Sequence, residues 1–484
     1  MQSHAYPPPY TPSRPADGVL YQVLAEHLAT FLYERERELA PLPEYVKSEC
    51  EAYLRCGIHH YGFLRVQCSK EACGFEHAVP FSCKKRGFCP GCGHKRAAEV
   101  EEHLIENILP RIPYRQYVLT VPYELRYRLA WDGKLLAQIH RVIITRIDRF
   151  LKDKCQSRKN RKSLKIGSVS FVQRFGSLLN LHPHFHILFT DGCFDFGSDR
   201  QPLFRRFNLE EKMVEELLSS IVEGIELKLS KLSELRVSDD ESSSVSAASS
   251  ASVRSRIAFG ERKGQKVRRM GYRQEPGAFS LKGRYCAEGS GFTLHAGRCV
   301  EAEDRRGLSQ LITYMARPAL CEARLERGED GDVYYWFKEA FSDGTSGVRL
   351  SPSEFIEKLC ALIPPKSSPL VRYSGVFAGN FKARSSIILK PGSLKGKRPT
   401  SEEPKPEAKT GRRSVGAGSW SRLLKRVFRV DVSRCPRCGS DLEIVSVVMD
   451  GDGVARYLDH VGMGRDPPGI WGVKAASLSY EYGV

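Results

Sequence analysis

Apolar residues recur at helical spacing from Val19 onward, where Leu20, Val23, Leu24, Leu28, Phe31 and Leu32 share one face of a helix over residues 19–37. The same period predicts a helix over 95–109, stopped by Pro110 and Pro113, a basic amphipathic helix over 135–150, and another over 209–229. A fifth pattern places Leu308, Leu311, Ile312 and Met315 at i, i+3, i+4 and i+7 of a helix ended by Pro318. Between these, period-two or continuous apolar runs read as strands at 116–122, 166–172, 185–189 and 292–297.

Where the pattern lapses, it marks organisation. The proline-rich opening, residues 1–18, and the Lys-, Pro-, Gly- and Ser-rich stretch 388–416 read as a disordered terminus and a basic linker. The serine-rich run 238–256 has too little apolar surface to offset its ordering entropy and is expected to be a mobile insertion. This leaves a helix plus cysteine-rich module at 19–105, a main domain at 106–387 and a small C-terminal domain at 417–484.

Net charge changes the picture of partners. The chain of 484 residues carries a formal charge of +18, which points to a polyanion, with nucleic acid first. No run of about 18 apolar residues predicts a membrane span, and the polar N-terminus lacks the apolar core of a secretory signal. The expectation is a cytoplasmic protein with no membrane partner.

Of 15 cysteines, seven lie between Cys50 and Cys92 inclusive, and two form Cys435-x-x-Cys438. Such clustering in a signal-free basic chain points to metal ligation rather than disulfides. The knuckle Cys89-Pro90-Gly91-Cys92 supplies two thiolates, and Cys68 with Cys73 can supply the opposite pair of a tetrahedral Zn²⁺ site. Cys56, His60 and Cys83 are candidates for a second ion, with His59, His77 and His94 competing for its fourth position. Cys435 and Cys438 form a lone half-site, either zinc or a simple turn. Lys84, Lys85, Arg86, Lys95 and Arg96, threaded among the ligands, are candidate phosphate contacts.

The segment LNLHPHFHILFTDG holds three of the 13 histidines at every second position: His182, His184 and His186. On a strand, His184 and His186 project from one face, about 7 Å apart, while Phe185, Ile187 and Phe189 point into a core. Two such imidazoles can chelate a divalent ion with one further ligand; a solvated or hydrogen-bonded sheet face is the other reading. Pro183 disturbs the strand beside His182, whose role stays open.

His-hydrophobic-His on a strand resembles the signature of the HUH single-strand endonuclease superfamily. The surrounding text is similar to rolling-circle transposases of the insertion sequence 91 family. The residues that carry the likeness are FSCKKRGFCPGC, VQRFGSLLNLHPHFHILFTDG, FTLHAG, LITYMARPAL, FSDGTSGV, RYSGVFAGN and RCPRCGSDL, collinear over about residues 50–450.

The resemblance implies an α+β fold: an HUH-type catalytic domain with a central antiparallel sheet, a small zinc-binding module before it and a small basic C-terminal domain after it. It implies a Mg²⁺ or Mn²⁺ ion on His184 and His186. Tyr314, among 20 tyrosines, matches the nucleophile that leaves a 5′-phosphotyrosine, with Arg317 beside it to steady a phosphate. Many relatives carry a second tyrosine one turn earlier; here Gln310 stands there, which resembles the single-tyrosine branch. Either one tyrosine then acts twice or a second protomer of a homodimer contributes. Where some relatives read His-Thr-Trp-Gly, this chain reads Gln173-Arg174-Phe175-Gly176, placing Gln173 as third ligand, with Asp191 as a competing oxygen donor. The implied function is nicking and rejoining of single-stranded DNA at element ends. The alternatives are a non-catalytic zinc-bearing nucleic-acid binder and a replication initiator or relaxase.

Overall fold

The computed structural model describes residues 15–155, 162–197, 202–233, 244–271, 284–365, 368–387, 435–462 and 467–472. The linker 388–416 lies outside the described residues. The chain forms two compact units, one built from residues 1–18, 52–84 and 389–469, the other from 19–51, 85–388 and 470–484.

The smaller unit holds a three-stranded antiparallel sheet in which Phe63–Cys68 is central, flanked by Glu76–Pro80 and Leu442–Val448. Helix Gly451–His460 covers it, and Phe63, Ala78, Val454 and Leu458 make its core. Strand Leu442–Val448, within the segment 417–484 expected as a separate domain, thus completes the sheet of the cysteine-rich segment. The physical reason is that a two-stranded ribbon is too small to stand alone. A hairpin of this length gains stability from a third strand, wherever in the chain that strand lies.

In the larger unit an antiparallel sheet runs in the order Cys286–Gly289, Phe292–His295, Tyr114–Thr120, Leu181–Thr190, Gly167–Phe175, Val371–Gly375. The described residues thus form an α+β fold with antiparallel sheets. The central strand, Leu181–Thr190, is buried on both faces. Phe185, Ile187 and Phe189 pack with helices Gly133–Lys154 and Glu211–Ser233 on one side. On the other, Leu188 joins Val169 and Phe171 against helices Pro90–Asn107 and Arg305–Ala316. Each fully buried aromatic or branched side chain here contributes roughly 1.5–3 kcal/mol. A slip of one residue would turn that whole set to the other face, which is what holds the histidines in register.

The helix predicted over 135–150 runs from Gly133 to Lys154, starting slightly earlier and ending about a turn later. Asp132 caps its start by accepting from the amides of Lys134 and Leu135, each at 2.8 Å. The serine-rich insertion differs more. Residues 238–243 lie outside the described residues, but Ser244–Val253 is a helix. Its Ala248 packs with Ala258 and Ala361, the last on helix Pro352–Leu362. Small side chains bury little area each but let helices approach closely, and Ser252 Oγ further accepts from the Leu181 amide at 2.9 Å. Composition alone misses such a contact.

Candidate active site and metal centres

Strand pairing brings together residues far apart in the chain. His184 stands directly across from Gln173 on one neighbouring strand and Thr120 on the other, and His186 stands across from Phe171 and Val118. Directly opposed residues share a face, so His184, His186, Gln173 and Gln116 all point toward helix Arg305–Ala316. The Nε2 atoms of His184 and His186 are 3.1 Å apart. His184 Nδ1 donates to the carbonyl of His182 at 2.8 Å, and His186 Nδ1 lies 2.8 Å from Nε2 of Gln116.

The tyrosine helix closes over this pair. Tyr314 is half exposed, and its ring meets that of His186 edge to face with centroids 5.7 Å apart. Gln173 Nε2 donates to the carbonyls of Met315 at 2.9 Å and Tyr314 at 3.3 Å, tying the helix end to the histidine face. Gln173 Oε1 is buried with no hydrogen-bond partner. An orphaned amide oxygen in register with His184 suits a hard divalent cation. The guanidinium of Arg317 lies 5.0 Å from the Tyr314 ring centre and 5.3 Å from that of Phe175, with its Nε buried and unpartnered.

Electrostatics keep the imidazoles neutral. Burial, then His184 and Arg317, pushes His186 down to about 3. Burial also lowers His184, opposed by its bond to the His182 carbonyl, and with Arg126 and His184 it brings His182 to about 3. Neutral imidazole is the form that ligates a metal. His182 keeps a buried Nε2 without a hydrogen-bond partner beside the pair. Asp191, the competing oxygen donor, is instead in a buried ion pair with Arg115, its two oxygens 2.7 and 3.3 Å from the guanidinium. A carboxylate so neutralised is not offered to the histidines.

The basic candidates are turned largely to protein. Arg86 donates to the carbonyls of Ser368 at 2.7 Å and Pro365 at 3.2 Å, Arg96 to that of Lys85 at 2.8 Å, and Lys85 to Ser48 Oγ at 3.1 Å. These bonds fix the loop before helix Pro90–Asn107. Lys84 has a left-handed φ of 53°, and Lys95 sits in the second turn of that helix.

Cys68 and Cys73 are joined by Cys435 and Cys438, which the sequence had placed in a separate half-site. All four sulfurs lie within 4.8 Å of one another, with Cys68–Cys438 at 3.4 Å and Cys73–Cys435 at 3.6 Å. Tetrahedral zinc with bonds of about 2.3 Å sets sulfurs about 3.8 Å apart, whereas a disulfide needs about 2.05 Å. Gly74 and Gly439, each following the second cysteine of a pair, take left-handed φ values of 60° and 74°. That conformation closes each knuckle at no steric cost. The Cys83 amide donates to the Cys56 sulfur at 3.2 Å, and Cys89 and Cys92 are buried at the start of helix Pro90–Asn107. His60 lies on the turn His59–Tyr61 and belongs to no cluster of close ligand atoms among the described residues.

Sequence reasoning missed Gln116, a polar strand residue whose parity with the histidines would have been a signal had the register been known. The Cys435–Cys438 pair carried the right spacing but no indication of its partner.

Comparisons with known proteins agree with this picture. Residues 167–385 match the family model described as "Putative transposase", and residues 23–121 match the model "Transposase zinc-binding domain". The chain is similar to the transposase for insertion sequence element IS801 from Pseudomonas savastanoi pv. phaseolicola, with 26% identity over 159 residues. That match covers 33% of this chain and 35% of the relative, so the chain spans about a third of the relative's length. No solved structure matches. The histidine strand, Gln173 and the tyrosine helix all fall inside the transposase match, and the first seven clustered cysteines fall inside the zinc-binding match. Together these matches support a transposase of the insertion sequence 91 family with a zinc-binding N-terminal module. No described helix is long and apolar enough to cross a membrane.

Proposed function

We propose that this protein is a DNA transposase of the HUH type that nicks and rejoins single-stranded DNA at element ends in rolling-circle-like transposition. The observation that carries the reading is the half-exposed Tyr314 ring 5.7 Å from His186, over two imidazole nitrogens 3.1 Å apart. His184, His186 and Gln173 would hold Mg²⁺ or Mn²⁺, which when bound supplies Lewis-acid polarisation of the scissile phosphodiester. The Tyr314 hydroxyl loses its proton and forms the new bond to phosphorus. The bond from phosphorus to the 3′ oxygen breaks, and that oxygen leaves as a hydroxyl after taking up a proton. The 5′-phosphotyrosine conserves one ester bond for another, so rejoining needs no nucleotide hydrolysis. Arg317, cradled between Tyr314 and Phe175, would steady the phosphate.

Gln310, exposed one turn before Tyr314, leaves one tyrosine for the reaction, which acts twice or is complemented by a second protomer. Zinc belongs at Cys68, Cys73, Cys435 and Cys438. Lys84 and Lys95 are the basic candidates for DNA contact, with Lys85, Arg86 and Arg96 shaping the loop that presents them. The protein would act in the bacterial cytoplasm at the nucleoid.

The test is incubation with Mn²⁺ and a single-stranded oligonucleotide of element-end sequence, followed by denaturing electrophoresis. The expected result is a denaturation-resistant adduct that Tyr314→Phe abolishes. No adduct with the wild-type chain would favour a non-catalytic nucleic-acid binder and overturn the reading.

A further inference from the structure

Gln116 lies on strand Tyr114–Thr120 and is buried to the same degree as the catalytic face it adjoins, with 6% of its surface exposed. Its side-chain amide is 2.8 Å from Nδ1 of His186. The two imidazoles differ in what fixes them. His184 Nδ1 faces a main-chain carbonyl, which only accepts, so that nitrogen carries the proton and its Nε2 is always a lone pair. His186 Nδ1 faces an amide, which offers a donor at one end and an acceptor at the other.

In the arrangement seen, the bonds form a self-consistent chain. The Gln116 amide N–H donates to Nδ1 of His186, Nε2–H of His186 donates to Nε2 of His184, and Nδ1–H of His184 donates to the His182 carbonyl. A cation on both Nε2 atoms requires the opposite tautomer of His186, with its proton on Nδ1. That tautomer needs an acceptor at the Gln116 position, and a half-turn about the terminal bond of the glutamine supplies its oxygen.

We infer that Gln116 is a positioning residue that sets the tautomer of His186, closing the histidine pair on itself in one amide orientation and opening it to a divalent cation in the other. The inference rests on the reading of His184 and His186 as a metal pair. A ligand's partner of this kind is typically worth about ten- to a hundredfold in metal affinity. A purely space-filling glutamine and a tautomer-setting one respond oppositely to substitution. Leucine fills the space and offers no acceptor. Glutamate brings a buried charge but only accepts, which holds the proton on Nδ1.

The experiment measures Mn²⁺ affinity of the zinc-loaded full chain by electron paramagnetic resonance of the free ion, for wild type, Gln116→Leu, Gln116→Glu and His184→Ala. The expected result is a loss of about ten- to a hundredfold for Gln116→Leu, with Gln116→Glu binding at least as tightly as wild type. Wild-type affinity in Gln116→Leu, or equal losses in Leu and Glu variants with unchanged thermal unfolding, would overturn the inference. Wild-type Mn²⁺ binding that His184→Ala leaves untouched would instead overturn the metal-pair reading beneath it, so the two failures are distinguishable.

Discussion

His140 shows what burial does to one side chain in this fold. It sits on helix Gly133–Lys154 with Nε2 2.8 Å from Ser170 Oγ, and burial, reinforced by Arg372, pushes it down to about 4. Below an ordinary value near 6.5, the unfolded chain takes up a proton that the folded chain refuses. The stabilisation is therefore complete above about pH 6.5 and lost as the pH falls toward 4. Between pH 7 and pH 5 the loss from this group is about 2 kcal/mol. Urea unfolding of wild type and His140→Gln at both pH values checks it: the variant's stability should fall less across the interval by roughly that amount. Equal falls would show that His140 is not held neutral. The histidine candidates were legible at this scale because residue type and spacing carried them, whereas Tyr314 was singled out by the family resemblance. Gln116 was not, because its meaning depends on which strand lies beside it.

Between elements, close packing couples the start of the zinc-knuckle helix to the end of the tyrosine helix. Gly93 follows Cys92 directly, and a Cβ placed on it would come within 2.5 Å of Pro318, the residue after Arg317. The two helices otherwise pack through Leu104, Ile105, Leu308 and Ile312. Gly93→Ala should therefore destabilise the protein by about 1–3 kcal/mol and slow adduct formation by displacing the chain around Arg317. Thermal unfolding and the adduct time course measure both, and unchanged values in each would mean the contact bears no strain. The main helices and strands were readable from periodicity, since each large apolar set repeats at one spacing. The helix Ser244–Val253 was not, because most of its buried residues are alanines and serines, with only Val245 and Val253 to mark an apolar face.

At the scale of the whole molecule, cysteines far apart in the chain meet in one cluster of four thiols. Cys73 and Cys435 are 362 residues apart in sequence and 3.6 Å apart in space. The sequence showed the thiols but paired Cys68 and Cys73 with the nearer knuckle, because spacing says nothing of a strand contributed from the far end. The four thiols of Cys68, Cys73, Cys435 and Cys438 predict a zinc ion held between them. Cys435→Ser should lower the zinc content by one ion per chain by elemental analysis and loosen the sheet that Leu442–Val448 completes; unchanged zinc content would refute the shared site. The central claim, however, concerns Tyr314, and peptide mapping of the covalent adduct tests it most directly. After nuclease and protease digestion, mass spectrometry should find a nucleotide joined through its 5′ phosphate to the peptide containing Tyr314. A nucleotide on any other residue, or one attached through its 3′ phosphate, would contradict the account.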